Sequence, residues 1–139
     1  MGTRKQLVQL ALPGDWIGLE VLCSGEYQLQ AQALTDCHIE RAPVDAVNPQ
    51  LWSTAWLLQQ QRLVQMTQLR TGRVSTRLLC LLDLLTQSMH HTPFALPALR
   101  EIAEVIDATT ETVCRTIPKA DAHPFVMRQT QRRTPCVGA

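Results

Sequence analysis

Residues 50–71 contain neither glycine nor proline, and Pro49 stands where a helix would begin. Proline is well suited to a first helical position, because the N–H it lacks would have no intrahelical partner there. The stretch therefore predicts one long helix of about six turns. Leu51, Trp52, Ala55, Trp56, Leu63, Met66 and Leu69 fall on one broad face. Trp52–Gln59–Met66 and Trp56–Leu63–Arg70 each repeat every seven residues, which suits a seam with another helix. Gln59 and Arg62 interrupt that seam. A helix of this length outreaches a domain of about 15 Å radius. Two packings are open: against a helix of a second chain, or against the chain's own N-terminal part.

With 139 residues, 45% apolar and 18% charged, the chain can bury a core and is not disordered throughout. No apolar run approaches the roughly 20 residues of a membrane helix, and no basic-then-apolar leader is expected at the N-terminus. Five cysteines, an odd number without C-x-x-C spacing, argue against a disulfide framework or a zinc finger. The expectation is a reduced, cytoplasmic protein with no metal and no cofactor. The net charge of +1 hides an asymmetry: 3 basic against 6 acidic residues over 1–50, and 10 against 6 over 51–139. Only the back half is suited to meet a polyanion, and Arg115, Lys119, Arg128, Arg132 and Arg133 concentrate there.

Ahead of the long helix, residues 4–42 read as short strands. Leu7, Val8, Leu10 and Leu12 run into the turn Pro13-Gly14-Asp15, and Ser24-Gly25-Glu26 marks a second turn. Tyr27 to Leu34 alternates with period two, the pattern of a strand with one buried face. Cys37, Ile39 and Ala42-Pro43 close another. A meander of so few strands needs something else to lean on. Asp15 and Glu20 flank a turn and read as solvated positions.

Behind the long helix, Thr71-Gly72 makes a break, and Arg73 to Gln87 reads as a leucine-rich helix buried on most sides. Met89–Pro93 reads as a loop. Adjacent His90 and His91 point apart on any regular element, which argues against a metal pair. Leu99, Ile102, Ala103 and Ile106 give the inner face of a short helix, followed by a tight turn at Asp107-Ala108. Thr109 is placed to cap a further helix whose inner face is Val113 and Ile117. This is a helix-turn-helix pattern. Its second helix would expose Thr109, Thr110, Glu111, Thr112 and Arg115. Arg115 suits guanine O6/N7, Glu111 a cytosine amino group, and the threonines a phosphate or thymine methyl.

Ile102-Ala103 through Thr109-x-Glu111-Thr112-Val113-x-Arg115 resembles the recognition unit of the cyclic-AMP-receptor/fumarate-nitrate-regulator family of bacterial transcription factors. Leu12-Pro13-Gly14-Asp15-Trp16-Ile17-Gly18 resembles the glycine-containing turn of that family's double-stranded β-helix sensor, and Ala31-x-Ala33-Leu34-Thr35-Asp36-Cys37 the strand that follows. The order of the pieces agrees over about residues 5–117, and the pattern is also similar to the nitrogen-control regulators of cyanobacteria. The resemblance implies an α+β fold in four parts. These are a partial β-roll sensor at 1–47, a long dimerisation and linker helix at 48–71, a helix-turn-helix DNA-binding domain at 72–118, and an irregular basic tail at 119–139 in place of the family's wing.

Three departures qualify what it implies. The family's sensor would begin further upstream, so only half of the β-roll is expected here. In cyclic-nucleotide binders a Gly-Glu pair precedes an Arg-Ser-Ala triplet that meets the ribose and the cyclic phosphate. Here Gly18 precedes Leu19-Glu20, and no arginine lies between Glu20 and Arg41. A buried phosphate would lack its cation, so cyclic AMP is not the expected effector. Without an N-terminal cysteine cluster, an iron–sulfur centre is not expected either. Finally, Pro118 is expected to stop the recognition helix near Ile117, where the resemblance ends abruptly, as a changed reading frame would produce.

The function expected is a dimeric, sequence-specific transcription regulator and not an enzyme. No serine–histidine–aspartate order, phosphate loop or metal-spaced cluster stands out. A truncated relative that binds no DNA and pairs with a full-length regulator through the long helix is the alternative.

Overall fold

The computed structural model describes residues 6–42, 48–120 and 126–127. It is mostly helical. Residues 6–42 lead through a single helical turn, α1 (Val21–Ser24), to the long helix α2 (Pro49–Arg70) and then α3 (Val74–Ser88). A two-residue strand, β1 (Phe94–Ala95), precedes α4 (Leu99–Val105) and α5 (Thr110–Ala120). β1 pairs in parallel with β2 (Val126–Met127), Phe94 opposite Val126, and this is the sole strand pairing among the described residues.

Local chemistry sets the helix limits. Asn48 Oδ1 accepts the N–H of Leu51 at 2.8 Å and caps α2, with Pro49 at its first position. α2 ends at Thr71, and Gly72 follows at φ 89°, a left-handed value open to glycine at little cost. The chain thereby turns into α3. His90 and His91 take φ values of 51° and 59° where the chain leaves α3. The His91 N–H donates back to the Thr86 carbonyl at 3.0 Å, so the pair belongs to a helix-ending turn.

The expected partial β-roll is absent from residues 6–42. Tyr27 and Leu29 alternate as a strand would, but both are exposed and nothing pairs with their backbone in a ladder. A strand is made by its hydrogen-bonded neighbour, and so few strands cannot close on themselves. Cys37, Ile39 and Ala42 likewise form no strand, and the turn at Ser24-Gly25 ends α1 instead of a hairpin, with Gly25 left-handed at φ 76°. Pro43 and the junction at 43–47 lie outside the described residues.

The front of the chain packs on α2 instead. Leu10 and Leu12 are buried in one continuous core with Met66 and Leu69 of α2, Leu78, Leu81 and Leu82 of α3, Ile102, Ala103 and Val105 of α4, Ile106, and Val113 of α5. Leu7 and Leu34 pack against its edge. Polar contacts follow the same line. The Gln9 and Gln59 amides pair reciprocally at 2.7 and 3.2 Å, and Arg70 Nη2 donates to the Leu7 carbonyl at 3.0 Å. Asp15, expected in solvent, instead has its side chain turned inward and paired with Arg62 through both carboxylate oxygens, at 2.6 and 3.0 Å. The two residues that interrupt the heptad seam, Gln59 and Arg62, are therefore among those that receive the N-terminal segment.

Candidate nucleic-acid interface

α4 and α5 make a pair of helices joined by a short turn, at the place where the sequence carries the helix-turn-helix pattern. Its first helix has an alanine at the N-cap, so only half of a capping box is made: the Ala98 N–H donates to Glu101 Oε2 at 3.0 Å. Ile102, Ala103 and Val105 face the core. The turn that follows is tight because Asp107 takes φ 51°. Aspartate enters this left-handed region more readily than most side chains. The Ala108 N–H then donates to the Ala103 carbonyl at 2.8 Å, which closes the turn. Ala103 is nearly fully buried, and its small side chain keeps the turn close against α4.

Thr109 caps α5, as expected. Its Oγ1 accepts the Thr112 N–H at 3.2 Å and lies 2.8 Å from the Thr112 hydroxyl. Val113 is fully buried and Ile117 packs against the core, so the inner face agrees with the sequence pattern. The helix does not stop at Ile117; it continues through Pro118 to Ala120. Proline forfeits one backbone hydrogen bond and crowds the carbonyl four residues back. Here the buried contacts of Val113 and Ile117 hold the helix from its inner side past that defect.

The five residues predicted to read DNA divide into two sets. Thr110, Glu111 and Arg115 stand exposed on the outer face of α5. Thr109 and Thr112 have their hydroxyls turned on each other in the cap, and Thr112 is half-buried. Arg115 Nη2 donates to Glu111 Oε1 one turn back. Both side chains are about three-quarters exposed, at 76% and 72%, so this pair adds little stability and chiefly aligns the guanidinium along the helix.

Cys114 is exposed on the same face, and sequence reasoning passed over it. Helical spacing was the available signal, since Cys114 lies four residues after Thr110 and three after Glu111. Arg128, Arg132 and Arg133, expected in a basic tail, lie outside the described residues, as do 121–125 and the rest of 128–139. The first two residues of that tail, 119 and 120, are helical.

α2 is joined to this unit through the core, by Met66 and Leu69. Ala55 is buried and Leu51 and Leu58 are half-buried, but much of its remaining apolar surface is open. Trp52, Trp56, Leu57, Leu63 and Val64 are exposed, Trp56 by 65%. The broad face expected from the sequence is thus split. Ala55, Met66 and Leu69 are buried, while the Trp52–Trp56–Leu63 side stands open.

Among the described residues no group of three His, Cys, Asp or Glu side chains is arranged to hold a metal ion. No helix among them is long and apolar enough to cross a membrane. No protein-family model, curated protein or solved structure matches this chain.

Proposed function

We propose that this protein is a sequence-specific DNA-binding regulator of transcription that works in the cytoplasm as a homodimer and reads the major groove with α5. One observation carries the reading. Thr110, Glu111, Cys114 and Arg115 share an open face of a helix whose opposite face is core and whose first turn is fixed by a threonine cap. A recognition helix needs that combination of a rigid inner side and free N-terminal side chains. Arg115 supplies the fork of donors that matches guanine, with Glu111 aligning it. Arg100, exposed in the first turn of α4, is suited to the phosphate backbone that the first helix of such a unit crosses. The resemblance to the cyclic-AMP-receptor/fumarate-nitrate-regulator family points the same way.

Selection of bound sequences from random duplexes by the purified chain tests the proposal, with a palindrome of two half-sites about 34 Å apart as the expected product. Arg115→Ala should then cost about 1–3 kcal/mol on the selected site and relax preference at one base pair of each half-site. An equal loss on every sequence, with a shallower salt dependence, would make Arg115 a phosphate contact and remove it from base reading.

The dimer rests on the open side of α2. An aromatic and aliphatic stripe of this kind on a 22-residue helix is the surface a second α2 would cover. The double variant Trp56→Glu/Leu63→Glu should sediment as a monomer and lose the palindromic preference. A wild-type chain that already sediments as a monomer at micromolar concentration would remove the homodimer. The same open face favours a second reading, in which the chain pairs with a full-length relative and binds no DNA itself. Random-duplex selection that enriches nothing, together with co-purification of such a relative, would favour it.

A further inference from the structure

We infer that Arg77 of α3 is a positioning residue for the α4–α5 turn and sets how α5 presents Thr110, Glu111 and Arg115. This deepens the DNA-binding reading and rests on it for its functional consequence. Arg77 lies in the first turns of α3, and its Nη1 donates to two successive carbonyls of the turn: Ile106 at 2.7 Å and Asp107 at 3.0 Å. Ile106 is the C-cap of α4, and Asp107 is the left-handed residue that reverses the chain. The last carbonyls of a helix have no intrahelical donors and carry the negative end of its dipole. A guanidinium there satisfies both demands with one nitrogen.

Geometry makes this contact specific to the turn. α4 has only seven residues, too few to define its own axis in isolation. Three backbone bonds hold the turn from within: Ile106 N–H to the Ile102 carbonyl at 3.0 Å, Ala108 N–H to the Ala103 carbonyl at 2.8 Å, and a long 3.4 Å contact from Asp107 N–H to the Glu104 carbonyl. All three lie inside the α4–turn segment. Arg77 is the polar contact that refers the turn to a different helix, and α5 starts only three residues after Asp107. The orientation of α5 against α3 is therefore referenced through Arg77 as well as through the apolar contacts of Val113.

Arg77→Met and Arg77→Lys, made in the full chain, test the inference by two readouts. The first is residue-resolved amide hydrogen exchange. Arg77→Met should speed exchange at Asp107 and Ala108 by an order of magnitude or more, with little change at the centre of α3, and Arg77→Lys should restore part of the protection. The second is preference for the selected site over a scrambled duplex, measured at low temperature where both variants are folded. That ratio should fall on the order of tenfold in Arg77→Met, while low-salt binding to the scrambled duplex is retained. Exchange that rises uniformly over all helices, or that stays unchanged at the turn, would overturn the inference, since Arg77 would then add only general stability or nothing. A preference ratio unchanged in Arg77→Met would overturn its functional half. If the wild-type chain selects no DNA, the DNA-binding reading falls, and the exchange pattern still decides the role of Arg77.

Discussion

Arg62→Met is expected to destabilise the docked N-terminal segment by about 3–5 kcal/mol. Methionine keeps most of the side-chain volume and removes every donor. Asp15 is only 4% exposed and Arg62 12%, so each neutralises the other out of water. The Asp15 carboxylate also accepts the Leu12 N–H at 2.8 Å, which ties the charge to the backbone turn carrying the buried Leu12. Once Arg62 is gone, that carboxylate keeps one backbone donor and no cation. It must take up water, and the segment from Leu7 to Asp15 leaves α2 to let it do so. Most of the cost is the stranded charge and not the worth of the pair, so Asp15→Asn in the Arg62→Met background should recover a substantial part of it. Urea titration of the three chains measures this, with limited proteolysis at the N-terminal segment as the local readout. A loss under about 1 kcal/mol for Arg62→Met would mean that the pair is effectively solvated and that Leu10 and Leu12 alone hold the segment.

Ile102→Ala is the second large effect, at about 2–5 kcal/mol. Ile102 is 0% exposed and sits in the short α4, in the core shared with α3 and Val113 of α5. Seven residues cannot sustain a helix by their own hydrogen bonds, so α4 exists because Ile102, Ala103 and Val105 are buried. A cavity at the centre of that contact loosens both helices of the proposed DNA-binding unit together. Thermal unfolding should report the loss, and any DNA binding should disappear at temperatures where the wild-type chain still binds. Leu99, on the same helix but 38% exposed, is the control. Leu99→Ala should cost well under half as much, because little of its surface leaves water on folding. Equal costs at the two positions would mean that α4 is not anchored through Ile102.

The parts of the fold that were legible in the sequence share a physical property: each is fixed by groups within a few residues. Pro49 starts α2, Gly72 stops it, Asp107 turns left-handed, and Thr109 caps α5 through an N–H three residues on. The inner faces of α4 and α5 follow from 3.6-residue spacing for Ile102, Ala103, Ile106 and Val113, whereas Leu99, expected inside, is exposed in the first turn; the open position of Thr110, Glu111 and Arg115 follows from being opposite to that inner face. Thr112 is half-buried beside them, because a hydroxyl three residues from a cap can turn to the cap. α5 runs on past Pro118, because the rule for proline concerns an isolated helix and α5 is held by its buried side.

Residues 6–42 lie at the other extreme. Period-two alternation in Tyr27 to Leu34 states that one face is fit to be buried, but not that any strand is near enough to bury it. The pairing partner, the coverage of α2 by Leu10 and Leu12, and the choice of Arg62 as the counter-ion of Asp15 are separated by about 50 residues of chain. Arg77 is another such case, since nothing within its own helix marks it for the Ile106 and Asp107 carbonyls. By itself, the sequence determined where the long helix and the α4–turn–α5 unit lie, because capping, turn conformation and helical period are short-range effects. Only the tertiary structure decided that the front of the chain lies along α2 without a sheet, because burial and ion pairing depend on which distant groups come into contact.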